Sequence, residues 1–183
     1  WHNSLTPRQF PESPHINEFG FDRWVGFYGG GIDYFTKVWP NRTETPNWWH
    51  DRTPVDDERE YATDCLADYA IAFLRKHRQE PFFCYVPFNT VHTPHHVRAE
   101  DLQRVPQDLI DAAGGTLRSW EEYYKLVNDQ QFPMLNEAYM RLTGDRSIAD
   151  IEGHLSDDEL RVLYSAMLIN LDDNVGRLLR ALE

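Results

Sequence analysis

The densest run of chemically capable side chains is Asn89-Thr90-Val91-His92-Thr93-Pro94-His95-His96. An imidazole changes charge near neutral pH, so a histidine in this run can donate to an anionic oxygen or act as a general acid. Just before it stands Phe82-Phe83-Cys84-Tyr85-Val86, a short continuous apolar segment. Such a segment reads as a buried strand, parallel because both of its faces are apolar, and Pro87 ends it. Ligands of open α/β sheets gather beyond the carboxyl ends of strands, where His92 would stand. From spacing alone, a surface loop whose histidines only solvate or cap weighs equally.

Two metal readings are weaker. His92, His95 and His96 have a spacing that suits zinc, but zinc needs a further ligand and groups to orient it, and no Cys or carboxylate lies close by. Asp172-Asp173-Asn174 suggests calcium. Adjacent helical residues point about 100° apart, however, so these read as solvated or hydrogen-bonding side chains. Trp48-Trp49-His50-Asp51, with Trp39 nearby, is an aromatic cluster that suits either stacking on a sugar or aryl ring or plugging a loop onto a core.

The elements that position these residues follow from periodicity. Residues 1–57 are loop-like, and Gly29-Gly30-Gly31 reads as a turn, since no Lys-Ser/Thr follows to make a phosphate cradle. From about Thr63 to Arg78, Ala62, Cys65, Leu66, Tyr69, Phe73 and His77 mark one face of a helix that Thr63 would cap. Helix, turn and buried strand make half of a βαβ unit, so the fold class is α/β with a parallel sheet flanked by helices. Residues 98–154 read as a polar, mostly helical excursion from that sheet. The last helix opens with a capping box, Ser156 and Glu159, and continues as a stripe through Leu160, Leu163, Tyr164, Met167, Leu171, Val175, Leu178 and Leu182.

Composition narrows the function. With 41% hydrophobic and 14% aromatic residues the chain is globular rather than disordered. Its formal charge of −12 argues against a nucleic-acid partner. No run approaches the roughly 18 apolar residues of a membrane span. Any site for an anion must therefore be built locally, against the average field. Cys65 and Cys84 read as separate buried thiols, and Asn41-Arg42-Thr43 fits a glycosylation acceptor. The absence of an initiator Met, and a helical pattern still running at Glu183, are expected of an internal piece of a longer protein.

Four segments in order resemble the type I, formylglycine-dependent sulfatases. Trp1-His2, followed by Asn3, is similar to the tail of that family's Gly-Lys-Trp-His motif. Phe19-Gly20-Phe21-Asp22 through Tyr28-Gly29-Gly30 and Asp33-Tyr34-Phe35 resembles its Gly-Phe-Asp to Asp-Tyr-Phe stretch. Pro81 to Thr90, then His92-Thr93-Pro94, resembles its PFF-to-PH.P block, with Val91 where the family often has Pro. Tyr164 to Met167 with Leu171 to Gly176 resembles the helix before its late metal-binding strand.

The resemblance implies a partial alkaline-phosphatase-like sulfatase fold, incomplete in this chain, with residues 1–183 an internal part of the catalytic domain. It implies hydrolysis of an aryl or carbohydrate sulfate ester by the whole protein, with calcium and a formylglycine nucleophile. His2 matches the histidine that supports the formylglycine hydroxyls, and His92 the one that contacts the sulfate and protonates the leaving oxygen. Trp48 and Trp49 join His92 as expected substrate contacts. The departures concern the nucleophile and metal. Cys65 is followed by Leu-Ala-Asp and Cys84 by Tyr-Val-Pro-Phe, so neither fits Cys-x-Pro-x-Arg, and the family's metal-binding strands have no match. No metal ligand is expected in this chain, and alone it should be inactive. A periplasmic, secreted or lysosomal location goes with the family. The alternatives are a phosphodiesterase or phosphonate hydrolase of the same superfamily, or a non-catalytic ligand-binding module.

Overall fold

A computed structural model of the chain describes residues 15–28, 31–38, 47–55, 60–131 and 155–183. His2, Trp39, Gly29-Gly30 and the Asn41-Arg42-Thr43 sequon lie outside the described residues. The chain divides into two compact units, Trp1–Phe88 with Asn174–Glu183, and Asn89–Asp173.

In the first unit a 3-10 turn, Ile16–Phe19, ends at Gly20, whose φ of 92° suits a residue without a Cβ. Three two-residue strands follow: β1 (Val25–Gly26), β2 (Trp49–His50) and β3 (Thr53–Pro54). They form one sheet in the order β1-β2-β3, antiparallel throughout, with Val25 opposite His50 and Trp49 opposite Pro54. A tight turn at Asp51, with φ 51°, joins β2 to β3; Asp tolerates that conformation.

Asp51 is the hub of this region. Its carboxylate accepts from the Trp24 N–H at 2.9 Å, from Asn17 Nδ2 at 3.2 Å and from Arg23 Nη1 at 2.9 Å. Its carbonyl accepts from His15 Nε2 at 2.8 Å. Partial burial pushes the carboxyl's pKa up, but the donors at Trp24, Arg23 and Asn17 outweigh it and hold the group below the usual carboxylate range.

Helix α1 (Ala62–His77) starts one residue earlier than the spacing predicts. The Ala62 N–H is satisfied by the Tyr34 carbonyl at 2.8 Å, so Thr63 lies buried in the first turn rather than capping it. The fully buried face runs through Cys65, Ala67, Ala70, Ile71 and Leu74, rotated from the predicted stripe. Ala62 and Cys65 of that stripe are buried, while Leu66, Tyr69, Phe73 and His77 form a second, half-buried face, where Tyr69 meets His50 edge-on at 4.6 Å and Phe73 meets Phe82 at 5.8 Å. A run of alanines allows close approach on one side while the aromatics reach sideways. Asp64 near the start and Arg75, Lys76 and His77 in the last turn suit the helix dipole.

The sequence expectation of a buried parallel strand at Phe82–Val86 is corrected. The segment forms no ladder among the described residues, and Phe83 is 74% exposed and Tyr85 52% exposed. A parallel ladder needs a neighbour brought alongside by a crossover, whereas the strands described here all pair antiparallel.

The second unit is helical. After the histidine loop come α2 (Ala99–Leu102), α3 (Gln107–Ala112), α4 (Trp120–Gln131) and α5 (Asp157–Arg180), whose last turns belong to the first unit. Residues 98–131 are thus mostly helical; residues 132–154 lie outside the described residues. Arg98 grips the buried Asp101 with two bonds of 2.5 and 2.8 Å, and Arg104 pairs with Asp173. Capping boxes start both long helices. The Ser156 N–H donates to Glu159 at 2.9 Å and the Glu159 N–H to Ser156 Oγ at 3.2 Å. Ser119 and Glu122 repeat the exchange at 2.8 and 3.2 Å.

The buried seam of α5 runs through Glu159, Val162, Leu163, Ala166, Met167, Asn170 and Asn174, while Tyr164 and Val175 of the predicted stripe are exposed. No described helix is long and apolar enough to cross a membrane.

Two outcomes follow. Ser156→Ala removes one half of the α5 box and should cost about 1 kcal/mol, read from urea unfolding. The Asp51 contribution is present above the unfolded carboxylate value of about 3.9 and is lost as pH falls through the lower folded value. Tryptophan fluorescence should report that acid loosening in the native chain and a blunted one in Asp51→Asn; identical acid limbs would contradict the assignment.

Candidate functional site

The loop from Asn89 to Arg98 is held by side chains rather than by a ladder. Inside it, the His92 N–H donates to the Asn89 carbonyl and the His96 N–H to the Pro94 carbonyl, both at 2.8 Å. The Thr90-Val91 and Thr93-Pro94 peptide bonds are cis. His92 is exposed, and its Nδ1 donates to the Thr93 carbonyl at 2.6 Å. With Nδ1 carrying that proton, Nε2 is the ring's second working atom: a base when neutral, a donor when the ring is charged.

His95 and His96 are anchored on one face of α4, three residues apart. His96 is 1% exposed, and its Nε2 lies 2.7 Å from Asn128 Oδ1, with Tyr124 at 4.6 Å and Trp120 at 6.2 Å around the ring. His95 is half-buried and meets the Tyr164 ring edge-on at 6.2 Å. Gln131 holds it twice: Oε1 accepts the His95 N–H at 3.2 Å and Nε2 donates to His95 Nδ1 at 2.8 Å. Burial lowers the His95 pKa, and the nearby His92 and His96 lower it further. Of the three histidines, the structure leaves His92 outermost and turns the other two into anchors.

The aromatic cluster splits. Trp48 is 1% exposed, with Phe27 stacked at 6.1 Å and the Lys37 ammonium 5.5 Å from the ring centroid. Lys37 is itself buried and donates to the Glu60 carbonyl. Asn47 and Tyr28 fix the approach to Trp48 with reciprocal bonds of 2.8 and 3.2 Å. Trp48 therefore plugs this loop onto a core. Trp49 is half-buried in β2 and meets Tyr28 edge-on at 5.4 Å.

Asp173 pairs with Arg104, and Asn174 is buried, donating to Asp64 at 2.6 Å and accepting from Arg177 at 2.8 Å. These are hydrogen-bonding helix residues. Among the described residues, no three His, Cys, Asp or Glu side chains are grouped so as to hold a metal. Cys65 and Cys84 are not joined in a disulfide; the Cys65 thiol donates to the Glu60 carbonyl at 3.5 Å, and burial pushes the Cys84 thiol up. No Cys-x-Pro-x-Arg source of formylglycine stands in the sequence, and the described residues do not fit a calcium donor set. The anchors Asn128 and Gln131 carry no sequence motif; only their three-residue spacing on a helix, opposite two adjacent histidines, could have signalled them.

Comparison with known proteins adds the following. The Sulfatase family model matches residues 1–183. Curated proteins give no match. Among solved structures, the chain is similar to Ps i-CgsB, with a TM-score of 0.56 and 23% identity over 100% of this chain and 32% of that one. It is also similar to Ps i-CgsB in complex with k-i-k-neocarrahexaose, with a TM-score of 0.54, 24% identity and the same coverage. The chain thus spans 32% of the length of these structures. At such identities the likeness shows the fold, an α/β chain with part of an alkaline-phosphatase-like architecture. The family match over every residue supplies the rest: the chain belongs to the sulfatase family.

Proposed function

We propose that the protein carrying this chain hydrolyses a sulfate ester of a carbohydrate, and that His92 is its proton donor to the departing oxygen. The observation that carries this reading is the exposed His92, with Nδ1 tied to the Thr93 carbonyl, in a loop matched by the sulfatase family. When the ring is charged, Nε2–H can donate to a sulfate oxygen. As the ester O–S bond breaks and the sulfur bonds to an incoming oxygen, that of water overall, the proton passes to the alcohol oxygen, and the ring returns to neutral. A saccharide substrate is supported by the neighbour solved with k-i-k-neocarrahexaose. Trp49, half-buried beside Tyr28, is the ring proposed to face a sugar; Trp48, enclosed by Phe27 and Lys37, is not. His2 joins the proposal as a second site histidine. Calcium and formylglycine enter as groups supplied by residues outside 1–183. Residues 1–183 are proposed as an internal part of the catalytic domain, with 98–154 as its helical excursion.

The test is release of inorganic sulfate from sulfated oligosaccharides by the whole protein, compared with a phosphate diester. Sulfate should be released, and His92→Ala should lower kcat/KM by about 10²–10⁴-fold. The 183-residue chain alone should give no turnover. Preference for the phosphate diester, or full activity in His92→Ala, would overturn the reading.

A further inference from the structure

The amide of Gln131 makes two bonds to the same residue, and one of them fixes the other. The His95 backbone N–H can only donate, so the Gln131 atom at 3.2 Å from it must be the oxygen. The Gln131 amide cannot be turned over without setting its NH2 against that N–H. Its NH2 group therefore faces His95 Nδ1, 2.8 Å away, and a nitrogen that accepts a hydrogen bond there carries no proton. The neutral ring then bears its proton on Nε2. A second proton could enter only at Nδ1, where it would meet the Gln131 N–H head-on and break the clamp.

We infer that Gln131 is a positioning residue that locks His95 as a neutral imidazole, so that it places no positive charge beside His92. The inference rests on the proposed role of His92 and extends it. Two cationic imidazoles in one loop disfavour each other; a charged His95 would make His92 harder to protonate just where an acid is required. Among the described residues, the groups that face His95 are His92 and His96 from its own loop, Gln131 from α4 and Tyr164 from α5. None is a carboxylate that would favour the charged ring. The lowered His95 pKa, caused first by burial and then by His92 and His96, agrees with the geometry. His96 is anchored differently: its Nε2 faces the Asn128 oxygen at 2.7 Å.

The experiment is nitrogen-15 NMR of the labelled histidine rings in the whole protein, with and without Gln131→Glu. In the native chain His95 should show the Nε2–H tautomer and titrate below the ordinary imidazole value of about 6.5. In Gln131→Glu a carboxylate oxygen replaces the NH2 group at Nδ1. The His95 midpoint should rise by about one pH unit or more. An Nδ1–H tautomer for His95 in the native protein, or an unchanged His95 midpoint in the variant, overturns the inference. The native spectrum decides the tautomer even if the variant folds poorly. Neither readout requires sulfate ester hydrolysis, so failure of the lock and failure of the proposed reaction are told apart.

Discussion

The histidine loop depends on one constraint: its backbone and rings must find partners without a β-ladder. An extended segment next to no strand exposes N–H groups that need acceptors. Here two amide side chains, one turn apart on α4, supply them, Gln131 to His95 and Asn128 to His96. That pairing sets which histidine stays outermost. Two rings are committed to the helix, and the third, His92, is left exposed with its Nδ1 held by the Thr93 carbonyl. The α4 helix can serve as an anchor because its own start is fixed by the Ser119–Glu122 exchange and its apolar face, Tyr123, Leu126 and Val127, is buried.

The other unit applies the same logic with a carboxylate. Asp51 collects donors from Asn17, Arg23 and Trp24, so a turn with a left-handed residue becomes a fixed corner. Beside it the chain buries Lys37 against Trp48 and satisfies its ammonium with the Glu60 carbonyl. Farther on, Asn174 and Arg177 tie the end of α5 to Asp64 and Asp68 on α1. A chain of net charge −12 thus places several of its cations where they meet carboxylates or carbonyls.

Much of this was legible in the sequence, and the failures have physical causes. The Ser156–Glu159 box and the helix after it were readable because capping chemistry is local. The identical Ser119-x-x-Glu122 signature was equally local and was passed over within a polar stretch. Helix α1 was legible as an element but not in its facing, because Leu66, Tyr69 and Phe73 outweigh Ala67 and Ala70 in any hydrophobic pattern, while close packing favours the small residues. Phe82–Val86 read as a buried strand because its apolar character is local, but burial depends on neighbours that a run of five residues does not specify. Trp48 and Trp49 are adjacent and chemically alike; only the tertiary stack of Phe27 and Lys37 separates the plugged ring from the half-buried one. The His92 loop was found from residue type and position, whereas its anchors, 32 and 36 residues away, had no motif to mark them.

The central claim is that His92 gives a proton to the departing oxygen, and leaving-group dependence tests it most directly. In the whole protein, kcat/KM for native and His92→Ala forms would be measured on sulfate esters of increasingly basic alcohols. A proton donor matters most when the leaving oxygen is a poor anion. The account predicts that the penalty of His92→Ala is small for an acidic phenol and grows steadily toward a sugar alcohol. A penalty that stays constant across the series would contradict it, leaving His92 as a binding group only.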